Sequence, residues 1–271
     1  THCRLLGREF AYPFFAGPAG AVKLHYGDQY SDAEYNEILV PSCERMGIAA
    51  FTGDGTDPMV MKAAAGAIKR AGGAGVPTIK PWNLETIREK LKLVRESGAF
   101  AAAMDIDAAG LPFLKNMDPP AGSKTVQELT QIIKEAGIPF IVKGIMTVNV
   151  SAKAREAGAA AIVVSNHGGR VLDQCPSTAE VLPAIAKEMA GAVTVLVDGG
   201  IRSGTDIFKA LALGADLVLI CRPFVTAVYG GGAEGVEELV NRLGGELKDT
   251  MAMCGAHGLE EITKDMVIAG E

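Results

Sequence analysis

The chain has 271 residues, 48% hydrophobic and 21% charged, with a formal net charge of −6 from 26 Lys+Arg against 32 Asp+Glu. That composition suits one large globular domain with a sizeable core and argues against nucleic acid as the main partner. No apolar run approaches the roughly 20 residues of a membrane span, nothing at the N-terminus reads as a signal peptide, and the five scattered cysteines (Cys3, Cys43, Cys175, Cys221, Cys254) lack metal-ligand spacing, so a reduced, cytoplasmic protein with no membrane contact and no metal is expected.

Short apolar runs recur along the chain, each closed by Gly, Asp or Pro and followed by a helix-like stretch. The first strand is expected at Pro13–Ala19, with a helix over Ala33–Met46. Strand Gly47–Thr52 precedes helix Pro58–Ala71, and strand Gly75–Ile79 precedes helix Leu84–Ser97, where Asn83 stands as the N-cap. Strand Phe100–Ile106 comes next. The stretch 108–124 behind it has no periodicity and reads as a lid-like loop before helix Thr125–Ala136. The remaining pairs are strand Pro139–Lys143 with helix Val148–Ala157, strand Ala160–Ser165 with helix Thr178–Met189, strand Thr194–Asp198 with helix Gly204–Leu213, and strand Leu217–Cys221 with helix Gly235–Met251. Ser177 with Glu180 forms a capping-box pattern.

The strands are continuous apolar runs, as parallel strands covered on both faces require. Eight such units predict an α/β chain folded as a single (β/α)8 TIM barrel over 1–271, with a short N-terminal segment, 1–12, before the first strand. An open doubly wound sheet would want a G-x-G-x-x-G turn after the first strand, and Gly17-Pro18-Ala19-Gly20 does not supply it.

In such a barrel the eight strand ends meet on one face. The expected inventory there is Gly17, Pro18 and Ala19; Thr52; Lys80 and Trp82; Asp105 and Asp107; Lys143; His167 and Arg170; Asp198, Gly199, Gly200 and Arg202; and Cys221 with Arg222. Gly199-Gly200 lets backbone N–H groups approach an anion, and Arg202 and Arg222 add planar forks, so the last two turns read as a phosphate site. His167, three residues from Arg170 at a strand end, reads as a general base beside a fixed cation, with Asp105 the carboxylate holding its ring. Lys143 at the end of Phe140-Ile141-Val142 would be costly to bury without an anion. His25 follows the first strand and reads as an ordinary loop histidine, with a place at the cavity mouth the alternative. Trp82 reads as lining the pocket or packing in the core.

Three motifs in order resemble the FMN-dependent α-hydroxy-acid oxidases and dehydrogenases, the family of glycolate and lactate oxidase. They are Ile141-Val142-Lys143-Gly144-Ile145, Ser165-Asn166-His167-Gly168-Gly169-Arg170-Val171-Leu172-Asp173, and Val197-Asp198-Gly199-Gly200-Ile201-Arg202-Ser203-Gly204-Thr205-Asp206, continuing to Arg222-Pro223-Phe224. The resemblance implies oxidation of an L-2-hydroxy acid to a 2-oxo acid, with His167 the base and a hydride equivalent passed to flavin N5. It implies an FMN phosphate held by Gly200, Arg202 and Arg222 near Gly199 and Cys221, a ribityl chain near Asp198, and Lys143 at the flavin N1/O2 edge. Gly17, Pro18, Ala19, Thr52, Lys80, Ser165 and His167 would line the ring. Arg170 would pair with the substrate carboxylate, with Trp82 also at the substrate and Asp105 partnering His167. A small carboxylate partner and a homo-oligomer, a tetramer by resemblance, complete the expectation.

The chain departs from the family in several places. The family's second substrate arginine has no counterpart between Phe100 and Lys124, where Pro112 falls near its slot. Trp82 stands for a tyrosine, Lys80 for a glutamine, Ala103 for a threonine and Cys221 for a glycine. A lost bidentate arginine contact is worth on the order of 1.5–3 kcal/mol. Either Lys80 faces the pocket and makes up for it, or the substrate is not a simple small 2-hydroxy acid. Three alternatives stay open: a barrel like type 2 isopentenyl-diphosphate isomerase, a nucleotide barrel like IMP dehydrogenase, and a flavin-binding protein without turnover.

Overall fold

The structure is a computed structural model, and it describes residues 1–111, 114, 116 and 120–268. A hairpin opens the chain. Strands β1 (Cys3–Leu5) and β2 (Arg8–Phe10) pair antiparallel across a turn in which Leu6 and Gly7 both take positive φ. The sequence marks this stretch only as a short segment before the first barrel strand, because three-residue strands carry no readable period.

Eight strands then close a parallel barrel: β3 (Phe14–Ala16), β4 (Ala50–Thr52), β5 (Gly75–Ile79), β6 (Ala102–Asp105), β7 (Phe140–Ile145), β8 (Ala161–Val164), β9 (Thr194–Asp198) and β10 (Leu217–Ile220). Neighbours in sequence are neighbours in space, and β10 returns to pair with β3, Val218 opposite Phe14. The strands are buried almost throughout, which is why they read as unbroken apolar runs. Each is one that sequence reading placed, shifted by a few residues at its ends. The hairpin covers the N-terminal end of the barrel: Phe10 packs on Phe15 at 4.6 Å between ring centroids, and the Arg8 guanidinium sits over the Phe100 ring.

The helices form the outer layer: α1 (Val22–Tyr26), α2 (Asp32–Arg45), α3 (Pro58–Arg70), α4 (Leu84–Ser97), α5 (Val126–Ala136), α6 (Val148–Glu156), α7 (Thr178–Met189), α8 (Gly204–Ala212) and α9 (Arg222–Cys254). Capping boxes start α2, α5, α7 and α8, with Ser31–Glu34, Thr125–Glu128, Ser177–Glu180 and Ser203–Asp206. Each satisfies two of the N–H groups that a helix start leaves free.

The last helix corrects the expectation of Gly235–Met251. It begins immediately after β10, at Arg222, and its backbone leaves the helical region at Gly232. Helix continues on both sides of that break. The expected lid over 108–124 falls partly outside the described residues, as does Pro112. A short 3-10 turn occupies Ile106–Gly110 in its place. Among the described residues no helix is long and apolar enough to cross a membrane.

Candidate active site

One cavity opens at the C-terminal ends of the barrel strands, about 1330 Å³ including its open mouth. It gathers the side chains of Lys80, Asp105, Lys143, His167, Arg170, Asp198, Arg202 and Arg222, with Pro18, Ala19, Gly199, Gly200 and Cys221 in its wall. Sequence positions more than 140 residues apart therefore share one space, through closure of the barrel alone.

Lys143 lies on the cavity floor and is 3% exposed. Its Nζ donates to Ser165 Oγ at 2.9 Å and lies 3.4 Å from Asp198 Oδ2. Burial works against its charge, but the carboxylates of Asp198, Asp107 and Asp105 outweigh burial and raise its pKa. It is a permanent cation in a dry place. Ser165 also accepts from the His167 backbone N–H at 3.2 Å, so one hydroxyl ties the floor to the histidine turn. Ser165 itself is fully buried behind the cavity wall.

His167 has φ of 57°, unusual for a residue with a Cβ, and this left-handed turn projects its ring from the end of β8. Its Nδ1 lies 3.1 Å from Asp107 Oδ2. This corrects the expected partnership with Asp105. The chain turns into the 3-10 helix right after Asp105, which swings the residue two places on, Asp107, over β7. The bulge at Gly144 makes room for it: φ there is 102°, and a Cβ would meet Asp107 Cβ at 2.7 Å. A carboxylate only accepts, so Nδ1 carries the proton toward Asp107 and Nε2 is left with its lone pair. Burial opposes the charge on Asp107, yet the hydrogen bond from His167 and the Lys143 charge bring its pKa below the usual carboxylate value.

Asp105 instead accepts from Lys80 Nζ at 2.6 Å. Lys80 does face the cavity, one of the two possibilities the sequence leaves open, but its charge is already matched. Its backbone N–H is held in turn by Asp54, which also accepts from Lys90 at 2.7 Å and from the Trp82 indole at 2.8 Å. That indole bond corrects the placing of Trp82 at the substrate. It draws the ring inward, 5% exposed, away from the cavity. Gly17 and Thr52 likewise stand behind the wall. Gly17 packs so closely on Cys221 that a Cβ would lie 3.1 Å from its side chain.

The other end of the cavity is built from backbone. Gly199 and Gly200 have φ of 97° and 81°, open only to glycine, and a Cβ on Gly200 would meet nothing within 4 Å. The N–H groups of Arg202 and Ser203 are taken by Asp206, and that of Gly204 by Glu246. Those of Gly199, Gly200 and Ile201 have no partner among the described residues. Three free N–H groups thus adjoin the guanidinium groups of Arg202 and Arg222, and an anion fits this turn. Arg222 also reaches the histidine turn, where a Cβ on Gly168 would lie 3.2 Å from its Nη2.

Buried oxygens without a partner point the same way. Thr78 Oγ1 and Asp198 Oδ1 belong to residues of the cavity wall and have no hydrogen-bond partner among the described residues. A large polar ligand with a phosphate tail would satisfy such groups. Asp105, Asp107 and His167 also bring possible metal-ligating atoms within 4.8 Å of one another, but Lys80 and Lys143 already neutralise that cluster and oppose a dication.

Three residues of α1 line the cavity, Leu24, His25 and Tyr26. His25 was within reach of the strand-end argument as the less favoured of two readings, and Leu24 and Tyr26 were not singled out by it. Ala21, at the start of this short helix, has left-handed backbone, φ 53°.

The profile of the family described as FMN-dependent dehydrogenase matches residues 113–269. The chain is 43% identical over 152 residues to the peroxisomal (S)-2-hydroxy-acid oxidase GLO4 of Oryza sativa subsp. japonica, a stretch covering 56% of this chain and 41% of that protein. It is 44% identical over 143 residues to the L-lactate oxidase of Roseobacter sp. (strain GAI101), covering 53% of this chain and 39% of that one. The matched stretch thus spans about two fifths of the length of these curated relatives. A solved structure of a mandelate oxidase variant with (S)-mandelic acid superposes with a TM-score of 0.82 at 26% identity, covering 97% of this chain and 80% of that one.

Proposed function

The chain belongs to the FMN-dependent dehydrogenase family, and from that premise we propose that it oxidises a 2-hydroxy acid of L configuration to the 2-oxo acid with FMN as its cofactor. The observation that carries this reading is the His167–Asp107 pair at 3.1 Å, sharing one cavity with Arg170 and with the phosphate-type turn at Gly199-Gly200. Relatives named for 2-hydroxy acids, lactate and mandelate support the substrate class.

FMN, when bound, supplies a two-electron acceptor. The residues that would hold it are Gly199, Gly200, Arg202 and Arg222 at the phosphate and Pro18, Ala19, Thr78, Lys143 and Asp198 along the cavity. His167 Nε2 takes a proton from the substrate, and Asp107 holds the ring and offsets the imidazolium charge. Arg170 has no ion-pair partner among the described residues and grips the substrate carboxylate. Lys143 keeps its positive charge on the floor, where negative charge accumulates during the reaction.

Cys221, the one cysteine in the cavity wall among the described residues, has its thiol pushed up to about 11 by burial and by Asp198. A neutral thiol argues against a nucleotide barrel that works through a cysteine nucleophile. The five unpaired cysteines support a reducing, cytoplasmic setting. The reading extends to a homo-oligomer, for which sedimentation is the test.

The deciding experiment adds 2-hydroxy acids without oxygen to the FMN-loaded protein and follows flavin absorbance. One acid should bleach the wild type, and His167→Ala should stay coloured and bind FMN yet bleach at least about 10²-fold more slowly. A coloured wild-type protein that no 2-hydroxy acid bleaches would overturn the reading.

A further inference from the structure

Several donors lining the cavity have no acceptor among the described residues; Arg222 adjoins the phosphate-type turn, and Arg170 and His25 are two of the others. Arg170 and His25 both line it, and among the described residues neither side chain makes a hydrogen bond or an ion pair, whereas Lys80 is matched by Asp105 and Lys143 by Asp198. They come from opposite sides of the mouth, His25 from α1 after the first barrel strand and Arg170 from the turn after β8. Burial, with the charges of Arg170 and Lys80, lowers the pKa of His25, and Arg170 stands three residues from His167 in the turn after β8.

A fixed cation and a histidine N–H that line one cavity suit an anion placed between them. A carboxylate has about four lone-pair sites, and a single guanidinium fork fills two. Ala21 at the start of α1 has left-handed backbone, costing on the order of 1 kcal/mol, in a segment that places His25 in the cavity lining. We infer that His25 is a specificity-determining residue, the second donor to the carboxylate of the 2-hydroxy acid, clamping it against Arg170. The inference rests on the function proposed above.

The test uses the FMN-loaded protein, His25→Leu, which keeps the bulk and loses the donor, and His25→Gln, which keeps an N–H. With an acid that bleaches the wild type, His25→Leu should raise the substrate concentration for half-maximal bleaching about tenfold and leave the limiting rate within about twofold. His25→Gln should recover most of the loss. Oxalate, a carboxylate probe that cannot be oxidised this way, should lose affinity in parallel when its binding is followed by the perturbation of flavin absorbance. If the wild type is bleached but His25→Leu binds acid and oxalate like the wild type, this inference alone fails. If His25→Leu instead loses FMN and keeps its acid affinity, the histidine serves the cofactor and the inference is overturned. A wild-type protein that no 2-hydroxy acid bleaches removes the parent reading and this inference with it.

Discussion

Residues two apart can have different tasks when a strand ends between them. Asp105 and Asp107 both stand at the end of β6, yet one closes an ion pair with Lys80 and the other holds His167. Their substitutions should separate. Asp107→Asn should slow substrate-driven bleaching about 10²-fold with FMN affinity kept. Asp105→Asn leaves the Lys80 charge half-buried and unmatched, so it should cost about 3 kcal/mol in urea unfolding and less in rate. Acid adds a check. The pKa of Asp107 is lowered in the fold, so its contribution to stability is present above the ordinary carboxylate range and is lost as pH falls through the lowered value. Melting curves of wild type and Asp107→Asn should therefore converge toward acid pH. Cys221, with its thiol near 11, should resist iodoacetamide at pH 8, while exposed Cys254 is alkylated, as peptide mass spectrometry would read. The placement of His167 and Arg170 in the cavity was legible in the sequence, because both follow a barrel strand's C-terminal end. The choice between Asp105 and Asp107 was not. It depends on a bulge at Gly144, forty residues away, and no local pattern around β6 encodes it.

Elements place these residues by how they start and stop. Asp206 both caps α8 and removes the N–H groups of Arg202 and Ser203 from competition, which leaves the preceding turn free to face an anion. Asp206→Ala should thus destabilise the fold by about 1 kcal/mol and also weaken FMN binding severalfold, measured by fluorescence titration. A purely structural cap would give the first effect without the second. The capping signals at Asn83 and at Ser177 with Glu180 were readable, since both residues of a cap sit three apart in the chain. The short helix α1 was not readable, because its five residues are too few to show a helical period. The pull on Trp82 was equally hidden, since its partner Asp54 lies 28 residues away.

For the molecule as a whole, charge is unevenly shared. The chain carries −6 overall, yet its cavity is lined by Lys80, Lys143, Arg170, Arg202 and Arg222. A positive cleft in an acidic body should focus anionic ligands. The association rate of FMN with the flavin-free protein should fall as salt rises from about 0.01 M to about 1 M, while the screening length shrinks from about 30 Å to about 3 Å. Stopped-flow fluorescence would read it, and a salt-independent rate would remove the steering argument. The barrel itself was legible at this scale because eight apolar runs with helices between them admit few other closed arrangements. The N-terminal hairpin was not, because its strands are held by Phe15 and Phe100 rather than by any pattern of their own.

The pairing of β10 with β3 joins the latest strand of the ring to the earliest. During synthesis the wall beside Pro18 has no neighbour until Leu217–Ile220 clears the ribosome, and Arg222 follows only then. A nascent chain stalled before that point lacks both one side of the vessel and one of the two guanidinium anchors. On the binding mode proposed above, flavin uptake is a late event in the life of this polypeptide, one that waits on its final barrel strand.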